Sequence, residues 1–330
     1  MGGNMYIGID IGGTNIAAAI VDENGNILKR AGTPVNAGGG AKAIVADLLS
    51  LCEILLADTE EAPVSIGIGV PGTVKDDDGE IVFTPNLPLN GENITHELKE
   101  KYGCPVRLGN DANCAAIGES VAGGAKGVKS VVFITLGTGI GGGVILDGQI
   151  YTGQRKAGCE IGHMTIHAGG RKCGCGRLGC WEAYASATGL ATTAREVLRD
   201  HKDSMIWELS GGNTAKIDGK LIFEAHKAGD TAARLTVELY ISHLAAGIIS
   251  IINMMDPEMI CIGGGISNAW DMISEPLRSL VEAEDYYRYI RDLPRTKIVK
   301  AELGNDAGII GAAMLGRELA VNNNAQKNNN

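Results

Sequence analysis

Apolar runs and helical periodicity alternate along most of this chain, which is the pattern of an α/β protein. Short apolar runs bounded by glycine or proline predict strands, and apolar residues repeating every three or four positions predict helices. The predicted strands are 5–10, 64–70, 106–109, 130–136, 144–146, 259–262 and 297–301, and two apolar runs around Asn24-Gly25 predict a β-hairpin. The predicted helices are 41–57, 92–102, one starting at 112, 186–200, 221–255 with a break near Gly229, one that contains Trp270, and 305–319.

Two stretches share one plan, in which a strand leads into a turn rich in glycine and threonine and then into a second strand. The first copy, from residue 7, is IGIDIGGTNIAAAIV, and the second, from residue 132, is VFITLGTGIGGGVIL. Because each glycine turn joins two strands, neither copy matches a Rossmann or Walker loop, in which the turn opens a helix. The repeat predicts two similar domains that flank a cleft, each offering backbone N–H groups to a phosphate.

The length of 330 residues is enough for two domains that each bury a core. We predict an N-terminal α/β domain at 1–117, closed by a C-terminal helix at 305–320. The second α/β domain is predicted at 118–304. The remaining tail, 321–330, is of low complexity and is predicted to be disordered.

Charge and cysteine usage narrow the class of protein. The formal net charge is −10 and no basic block is present, so we expect no binding to nucleic acid. No apolar run looks long enough to span a bilayer, and the N-terminus carries no secretion signal, so we expect no membrane partner. Four of the eight cysteines are scattered singly, which fits a reducing cytoplasm better than a disulfide framework.

A compact set of metal-type ligands is the most specific feature of the sequence. His163, Cys173, Cys175 and Cys180 stand within eighteen residues. One imidazole and three thiolates suit a tetrahedral zinc ion, and four protein ligands would make that ion structural. The alternatives are disulfide pairing, which suits neither the compartment nor cysteines one residue apart, or unremarkable thiols. Cys159 is close enough in sequence to be a rival ligand.

Two carboxylates stand at the ends of predicted strands, where α/β sheets place binding residues. Asp10 precedes the turn formed by Gly12, Gly13 and Thr14, and its carboxylate could hold magnesium through water. Asp111 follows a strand and stands where a helix begins. From local sequence alone, Asp111 is open to two interpretations, a binding residue or only the N-cap of that helix.

Several of these motifs together resemble those of the ROK family of sugar kinases (repressor, open reading frame, kinase), within the actin/hexokinase/Hsp70-like ATPase superfamily. The resemblance covers nearly all of residues 5 to 320. The motifs are DIGGTN at 10–15, the Asn110-Asp111 pair, LGTGIGGG at 136–143, EIGH at 160–163, CGCGRLGCWE at 173–182 and GGGIS at 263–267. The resemblance implies an α/β protein with two similar domains of the actin-like ATPase (ribonuclease H-like) fold.

The resemblance also implies roles for individual residues. Asp111 would be the catalytic base, and could also cap its helix, while zinc would be bound by His163 and the three cysteines. The residues implied for ATP and Mg²⁺ are Asp10, Gly12, Gly13, Thr14, Asn15, Gly137, Thr138, Gly139, Gly263, Gly264 and Gly265. The residues implied for the sugar ring are Gly72, Asn86, Asn110, Asp111, Glu160, His163 and Glu182.

The activity implied by the resemblance is ATP-dependent phosphorylation of a hexose, with glucose expected and its 6-hydroxyl as acceptor. Kinases of N-acetylhexosamines, mannose or fructose share these motifs and stay open as alternatives. A sugar-sensing repressor of the same family is disfavoured, since only four residues precede the first predicted strand and the chain is acidic. We expect a cytoplasmic enzyme that forms a homodimer or a higher homo-oligomer.

Overall fold

The computed structural model describes residues 4–59, 61–75, 79–290 and 292–315 and is an α/β structure, as the sequence predicts. The strands are β1 (Tyr6–Ile11), β2 (Asn15–Val21), β3 (Ile27–Pro34), β4 (Ser65–Val70), β5 (Thr73–Lys75), β6 (Glu80–Phe83), β7 (Val106–Asn110), β8 (Val131–Leu136), β9 (Ile140–Leu146), β10 (Gln149–Tyr151), β11 (Met259–Gly263) and β12 (Lys297–Lys300). The helices are α1 (Gly40–Leu56), α2 (His96–Tyr102), α3 (Asp111–Ala122), α4 (Glu182–Ala185), α5 (Ala187–Val197), α6 (Met205–Leu209), α7 (Gly219–Lys227), α8 (Thr231–Met255), α9 (Trp270–Glu284) and α10 (Asp306–Leu315).

The two five-stranded sheets have the same topology. Their strand orders are β3-β2-β1-β4-β7 and β10-β9-β8-β11-β12. In the first sheet β2 pairs antiparallel with β3 and β4 pairs parallel with β7, and in the second the equivalent pairs, β9 with β10 and β11 with β12, are likewise antiparallel and parallel. The predicted duplication is therefore confirmed at the level of the sheets, with each glycine turn joining the first two strands of its copy.

The side chains of strand β1 alternate between the two faces of the sheet, and this alternation determines the face on which Asp10 lies. Ile7 and Ile9 join the buried cluster that contains the apolar face of α1. Tyr6 belongs to the cluster on the other face, which contains α10. Because side chains alternate along a strand, Asp10 is on the α10 side as well. A Cβ at Gly8 would overlap the Ile309 carbonyl, so glycine lets α10 pack directly on the strand.

The chain divides into two compact units. Unit 1 comprises 1–133, 143–159 and 301–330, and unit 2 comprises 134–142 and 160–300. This division gives 118–133 and 143–159 to the first unit, whereas the predicted boundary follows residue 117. The predicted tail at 321–330, and the predicted end of the C-terminal helix at 320, lie outside the described residues.

The start of one predicted helix needs correction. The predicted helix 92–102 begins only at His96, because the Asn93 side chain accepts hydrogen bonds from both the N–H and the hydroxyl of Thr95.

Helix α8 is long and apolar enough to cross a membrane by length and composition, contrary to our expectation that no such run is present. However, 56% of its apolar window is buried inside the protein, as in a core helix.

Candidate functional site

The first glycine turn projects its backbone from the end of the β1–β2 hairpin. Gly12 N–H donates to Asn15 O at 2.9 Å, which closes the turn, and Val35 N–H donates to Thr14 O at 2.9 Å. Gly13, Thr14 and Asn15 are exposed. A Cβ at Gly13 would meet no atom within 4 Å, so the space beside its backbone is open. The turn thus presents exposed backbone and the Thr14 hydroxyl, which suits an anionic ligand.

The Asp10 carboxylate lies in a space that two glycines provide. A Cβ at Gly308, in the first turn of α10, would come within 2.8 Å of Asp10 Oδ2, and a Cβ at Gly69 within 3.5 Å of Oδ1. Burial raises the pKa of Asp10 to about 6, and the negative charge of Asp111 contributes to the increase. The two carboxylates are therefore close enough to repel each other, and a cation such as Mg²⁺ would relieve that repulsion.

The structure separates the two interpretations of Asp111. The N-cap of α3 is Asn110, whose Oδ1 accepts a hydrogen bond from Asn113 N at 3.1 Å. Asp111 is the first helical residue and its side chain is exposed. The expectation that Asp111 also caps the helix is wrong, because capping requires the non-helical backbone that Asn110 has, with φ −67° and ψ 144°.

Asn110 also fixes the neighbouring Gly72 turn. Its Nδ2 donates to Gly72 O at 3.0 Å. Gly72 has φ +113°, and a Cβ there would overlap the Phe83 carbonyl, so only glycine fits. Asn86 is exposed in a turn stabilised by Thr84, whose hydroxyl accepts from Leu87 N at 2.9 Å. Gly72, Asn110 and Asp111 are thus directly connected, whereas Asn86 is held by a separate turn.

The second glycine turn, in unit 2, is shorter than predicted. Gly141, Gly142 and Gly143 belong to β9, which leaves only Gly137, Thr138 and Gly139 between the strands. Gly137 N–H donates to Gly139 O at 3.0 Å. The Gly-rich run predicts a single longer turn because glycine is unusual inside a strand.

The third glycine turn follows β11. Gly264 has φ +83°, and a Cβ there would overlap the backbone of Leu136 at the end of β8. Gly265 is exposed, and a Cβ added to it would meet no atom within 4 Å, so the space beside its backbone is open. Ser267 stabilises the turn by donating its N–H and its hydroxyl to Gly264 O, at 3.0 and 2.8 Å.

The four predicted metal ligands come together. One ligand atom from each of His163, Cys173, Cys175 and Cys180 lies within 4.8 Å of all the others. Three sulfurs and one imidazole nitrogen form the donor set of closed structural zinc sites, so the residues fit zinc. Cys159 is not in this cluster, and its thiol donates to Tyr151 O at 3.3 Å instead. Burial raises the pKa of the Cys173 thiol to about 12, so a bound cation would be needed to hold it as a thiolate.

The segment that carries the four candidate metal ligands, residues 163–180 (the metal loop), is folded by backbone hydrogen bonds around its glycines. Cys173 N–H donates to Arg177 O at 2.9 Å, and Gly179 N–H donates to Arg171 O at 2.8 Å. Gly176 and Gly179 have positive φ, which a tight hairpin of this kind requires. Arg177 is not among the predicted site residues, yet its guanidinium donates to His163 O and to Thr165 Oγ1, both at 3.1 Å.

Glu160 and Glu182 differ in their surroundings. Glu160 is exposed at the start of a short 3₁₀ turn, Ile161–His163, and Gly162 in this turn packs without a side chain against the Ile140 carbonyl. Glu182 Oε1 accepts from the Cys173 thiol at 3.3 Å, and its Oε2 accepts from Ile140 N–H at 3.0 Å. Glu182 therefore links the metal loop to the strand that follows the second glycine turn.

These features define an α/β protein with two five-stranded sheets and a cluster of four metal-type ligands in its second unit. The family model that matches is that of the ROK family, over residues 6–318. The chain belongs to the ROK family. The predicted family and fold class, the actin-like ATPase fold of ROK sugar kinases, are thereby confirmed.

Named relatives are similar to this chain over nearly its whole length. A glucokinase of Thermotoga maritima is 36% identical over 313 residues, covering 94% of this chain and 97% of that protein. An N-acetyl-D-glucosamine kinase of Salmonella paratyphi B is 32% identical over 327 residues, covering 94% and 99%. The crystal structure of a ROK glucokinase from Streptomyces griseus, in complex with glucose and AMPPNP, has a TM-score of 0.78 and 32% identity, covering 96% of this chain and 100% of that one.

The metal cluster generates a first prediction. We expect the parent protein to carry about one zinc ion per chain and the Cys175→Ser variant to lose it, because a closed CysCysCysHis site needs all four ligands. Elemental analysis of protein purified without added metal measures this loss. The matched control is Cys159→Ser, which should keep its zinc. A zinc-free parent protein with full activity would contradict the assignment.

The raised pKa of Asp10 generates a second prediction. The folded protein binds the Asp10 proton more tightly than the unfolded chain does, so this stabilisation is lost as pH rises through about 6. Without magnesium or nucleotide, the parent should lose about 1 to 1.5 kcal/mol more unfolding free energy between pH 5 and pH 8 than Asp10→Asn does. Urea unfolding of both proteins measures the difference. Equal pH dependence in the two proteins would contradict the buried, repelled carboxylate.

Proposed function

We propose that this chain is an ATP-dependent kinase that transfers the γ-phosphoryl group of ATP to the 6-hydroxyl of glucose. The observation that carries the proposal is the position of Asp111. It stands at the carboxyl end of β7 beside a second carboxylate, Asp10, while Asn110 supplies the helix cap. Asp111 Oδ1 accepts from Ala112 N–H at 2.8 Å, and the carboxylate has further lone pairs that suit it to accept the proton of an attacking hydroxyl.

The proposed nucleotide residues are the three glycine turns. Backbone N–H groups near Gly13, Thr14, Thr138 and Gly139 would meet phosphate oxygens, and the turn at 263–265 would meet the adenosine. Asp10 would hold Mg²⁺ through water, since magnesium keeps most of its hydration shell. With a pKa of about 6, Asp10 is mostly ionised at neutral pH. Phosphoryl transfer requires mainly this kind of positioning and charge neutralisation.

The proposed sugar residues retain hydrogen-bonding capacity beyond their bonds inside the protein. An amide NH₂ has two donors, so Asn110 has a second hydrogen for a sugar hydroxyl after bonding Gly72 O. A carboxylate has about four lone-pair positions, so Glu182 can accept from a hydroxyl as well as from Ile140 N–H. Glu160 and Asn86 are exposed, and His163 would use one ring nitrogen for zinc and the other for the sugar.

Glucose is the sugar we propose. The relatives at 35–36% identity are named glucokinases, whereas the N-acetylhexosamine kinases are 32% identical. The Streptomyces griseus glucokinase holds glucose and AMPPNP, and this chain covers all of it. Both groups of relatives are similar over nearly the whole chain, so a kinase of an N-acetylhexosamine is the second candidate. A cytoplasmic location and a homo-oligomeric state stay predictions.

A coupled assay of ADP release tests the proposed substrate. The panel is glucose, mannose, fructose, N-acetylglucosamine and N-acetylmannosamine, each assayed with ATP and Mg²⁺. We expect glucose to give the highest kcat/KM. A clear preference for an acetamido sugar would reassign the substrate. If folded, zinc-loaded protein released no ADP in response to any of these sugars, the proposed function would be wrong.

The role of Asp111 generates a further prediction. The Asp111→Asn variant keeps the size and a hydrogen bond but cannot accept the proton, so kcat should fall by a factor of about 10² to 10⁴. Glucose affinity, measured by calorimetry on the same preparation, should change much less. Folding should be unaffected, because Asn110 provides the cap.

The control variant is Glu97→Gln, which removes an exposed carboxylate from the first turn of α2. This variant tests whether any acidic residue at a helix start matters, and it should keep the parental kcat. An Asp111→Asn variant that retained more than about a tenth of parental kcat would count against the base, given the size of general-base effects.

A further inference from the structure

The first turn of α5 contacts the second glycine turn at two consecutive carbonyls. Ala187 N–H donates to Gly137 O at 2.8 Å, and the Thr188 hydroxyl donates to Thr138 O at 2.8 Å. Both bonds lie within unit 2 and join residues about fifty positions apart in sequence. Neither Ala187 nor Thr188 belongs to the sequence motifs described above, so the sequence does not single them out.

Because a trans peptide group is planar, these hydrogen bonds also fix the direction of N–H groups in the turn. The C=O and the N–H of one peptide group point in opposite directions. Holding Gly137 O on the α5 side therefore directs the N–H of Thr138 away from α5. Holding Thr138 O in the same way directs the N–H of Gly139 away from α5.

The remaining donors of the turn are engaged within the protein. Gly137 N–H donates to Gly139 O, and Ile140 N–H donates to the carboxylate of Glu182. Within the described part of the chain, the N–H groups of Thr138 and Gly139 donate to no protein acceptor. The two N–H groups left for a ligand are thus the two whose peptide planes α5 orients.

The segment that provides this support is itself firmly held. Ser186 caps α5 by accepting from Gly189 N at 3.0 Å, and it is buried. Arg171 donates to Ala183 O at 3.2 Å and to Gly189 O at 3.4 Å, which ties the segment to the metal loop. The start of α5, which contacts the turn, is therefore itself held in place by hydrogen bonds.

We propose that Thr188 is a positioning residue for nucleotide binding, which orients the Gly139 N–H toward a phosphate oxygen by holding the carbonyl of Thr138. This inference rests on the proposed function in that the second turn must meet the phosphates of ATP. Thr188 does not touch the phosphate itself. Its hydroxyl acts through the peptide group of the turn, and Ala187 acts in the same way on the preceding peptide.

The test uses three single variants of the whole, zinc-loaded protein. Thr188→Val removes the hydroxyl and keeps the branched shape, and Thr188→Ser keeps the hydroxyl. The matched control is Thr192→Val, one turn later in α5, where the hydroxyl donates to Thr188 O at 2.9 Å inside the helix. Thr188 is exposed and Thr192 is half-buried, and neither is among the buried residues of the core. Thermal unfolding checks that all three variants are folded.

Calorimetric binding of AMPPNP with Mg²⁺ is the main measurement. One net hydrogen bond corresponds to a factor of about 3 to 10 in affinity, so Thr188→Val should weaken AMPPNP binding by that factor. Thr188→Ser and Thr192→Val should stay within about twofold of the parent. Binding of adenosine, which has no phosphate, and of glucose should be unchanged in Thr188→Val.

The outcomes separate this inference from the proposed function. The inference is overturned if Thr188→Val binds AMPPNP like Thr192→Val, or if adenosine binding falls by the same factor as AMPPNP binding. If the parent binds AMPPNP, the Thr188→Val defect is found and yet no sugar is phosphorylated, the inference stands and the proposed function falls. A folded parent that binds no AMPPNP would overturn both.

Discussion

A hydrogen bond to the carbonyl of a planar peptide fixes the direction of the N–H on its other side, and the first two glycine turns of this protein are held in this way. In unit 1, Val35 holds the Thr14 carbonyl, and in unit 2 the start of α5 holds the carbonyls of Gly137 and Thr138. Glycine in the turns keeps side chains away from the ligand space. The surrounding elements supply the rigidity that glycine itself lacks.

The carboxylates of unit 1 face a complementary constraint. Asp10 lies in a partly buried space against the glycines of β4 and α10, and Asp111 lies near enough to raise its pKa. Two such charges are tolerable together when a cation or a proton lies between or beside them. An ATP-magnesium complex and a sugar hydroxyl would supply both, which is why this pair suits phosphoryl transfer. In unit 2, the metal loop, Glu182 and the second glycine turn form one connected structure.

Features that are local in sequence could be predicted, and features that depend on distant contacts could not. The two hairpins, the glycine turns and the His163/Cys173/Cys175/Cys180 cluster follow from short patterns, since all their parts lie within a few dozen residues. The cap at Asn110 could not be told from a cap at Asp111, because Asn and Asp cap equally well. The contacts of Glu182 with Ile140 and of Thr188 with Thr138 join residues more than forty positions apart, which no pattern in one sequence reveals.

The central claim is that the protein transfers a phosphoryl group from ATP to the 6-hydroxyl of glucose. The most direct test is ³¹P NMR of a reaction that contains ATP, Mg²⁺ and glucose labelled with ¹³C at carbon 6. We expect one new phosphomonoester signal coupled to the labelled carbon, appearing with ADP in equal amounts. A phosphate on another carbon, or ADP with only inorganic phosphate, would contradict the account.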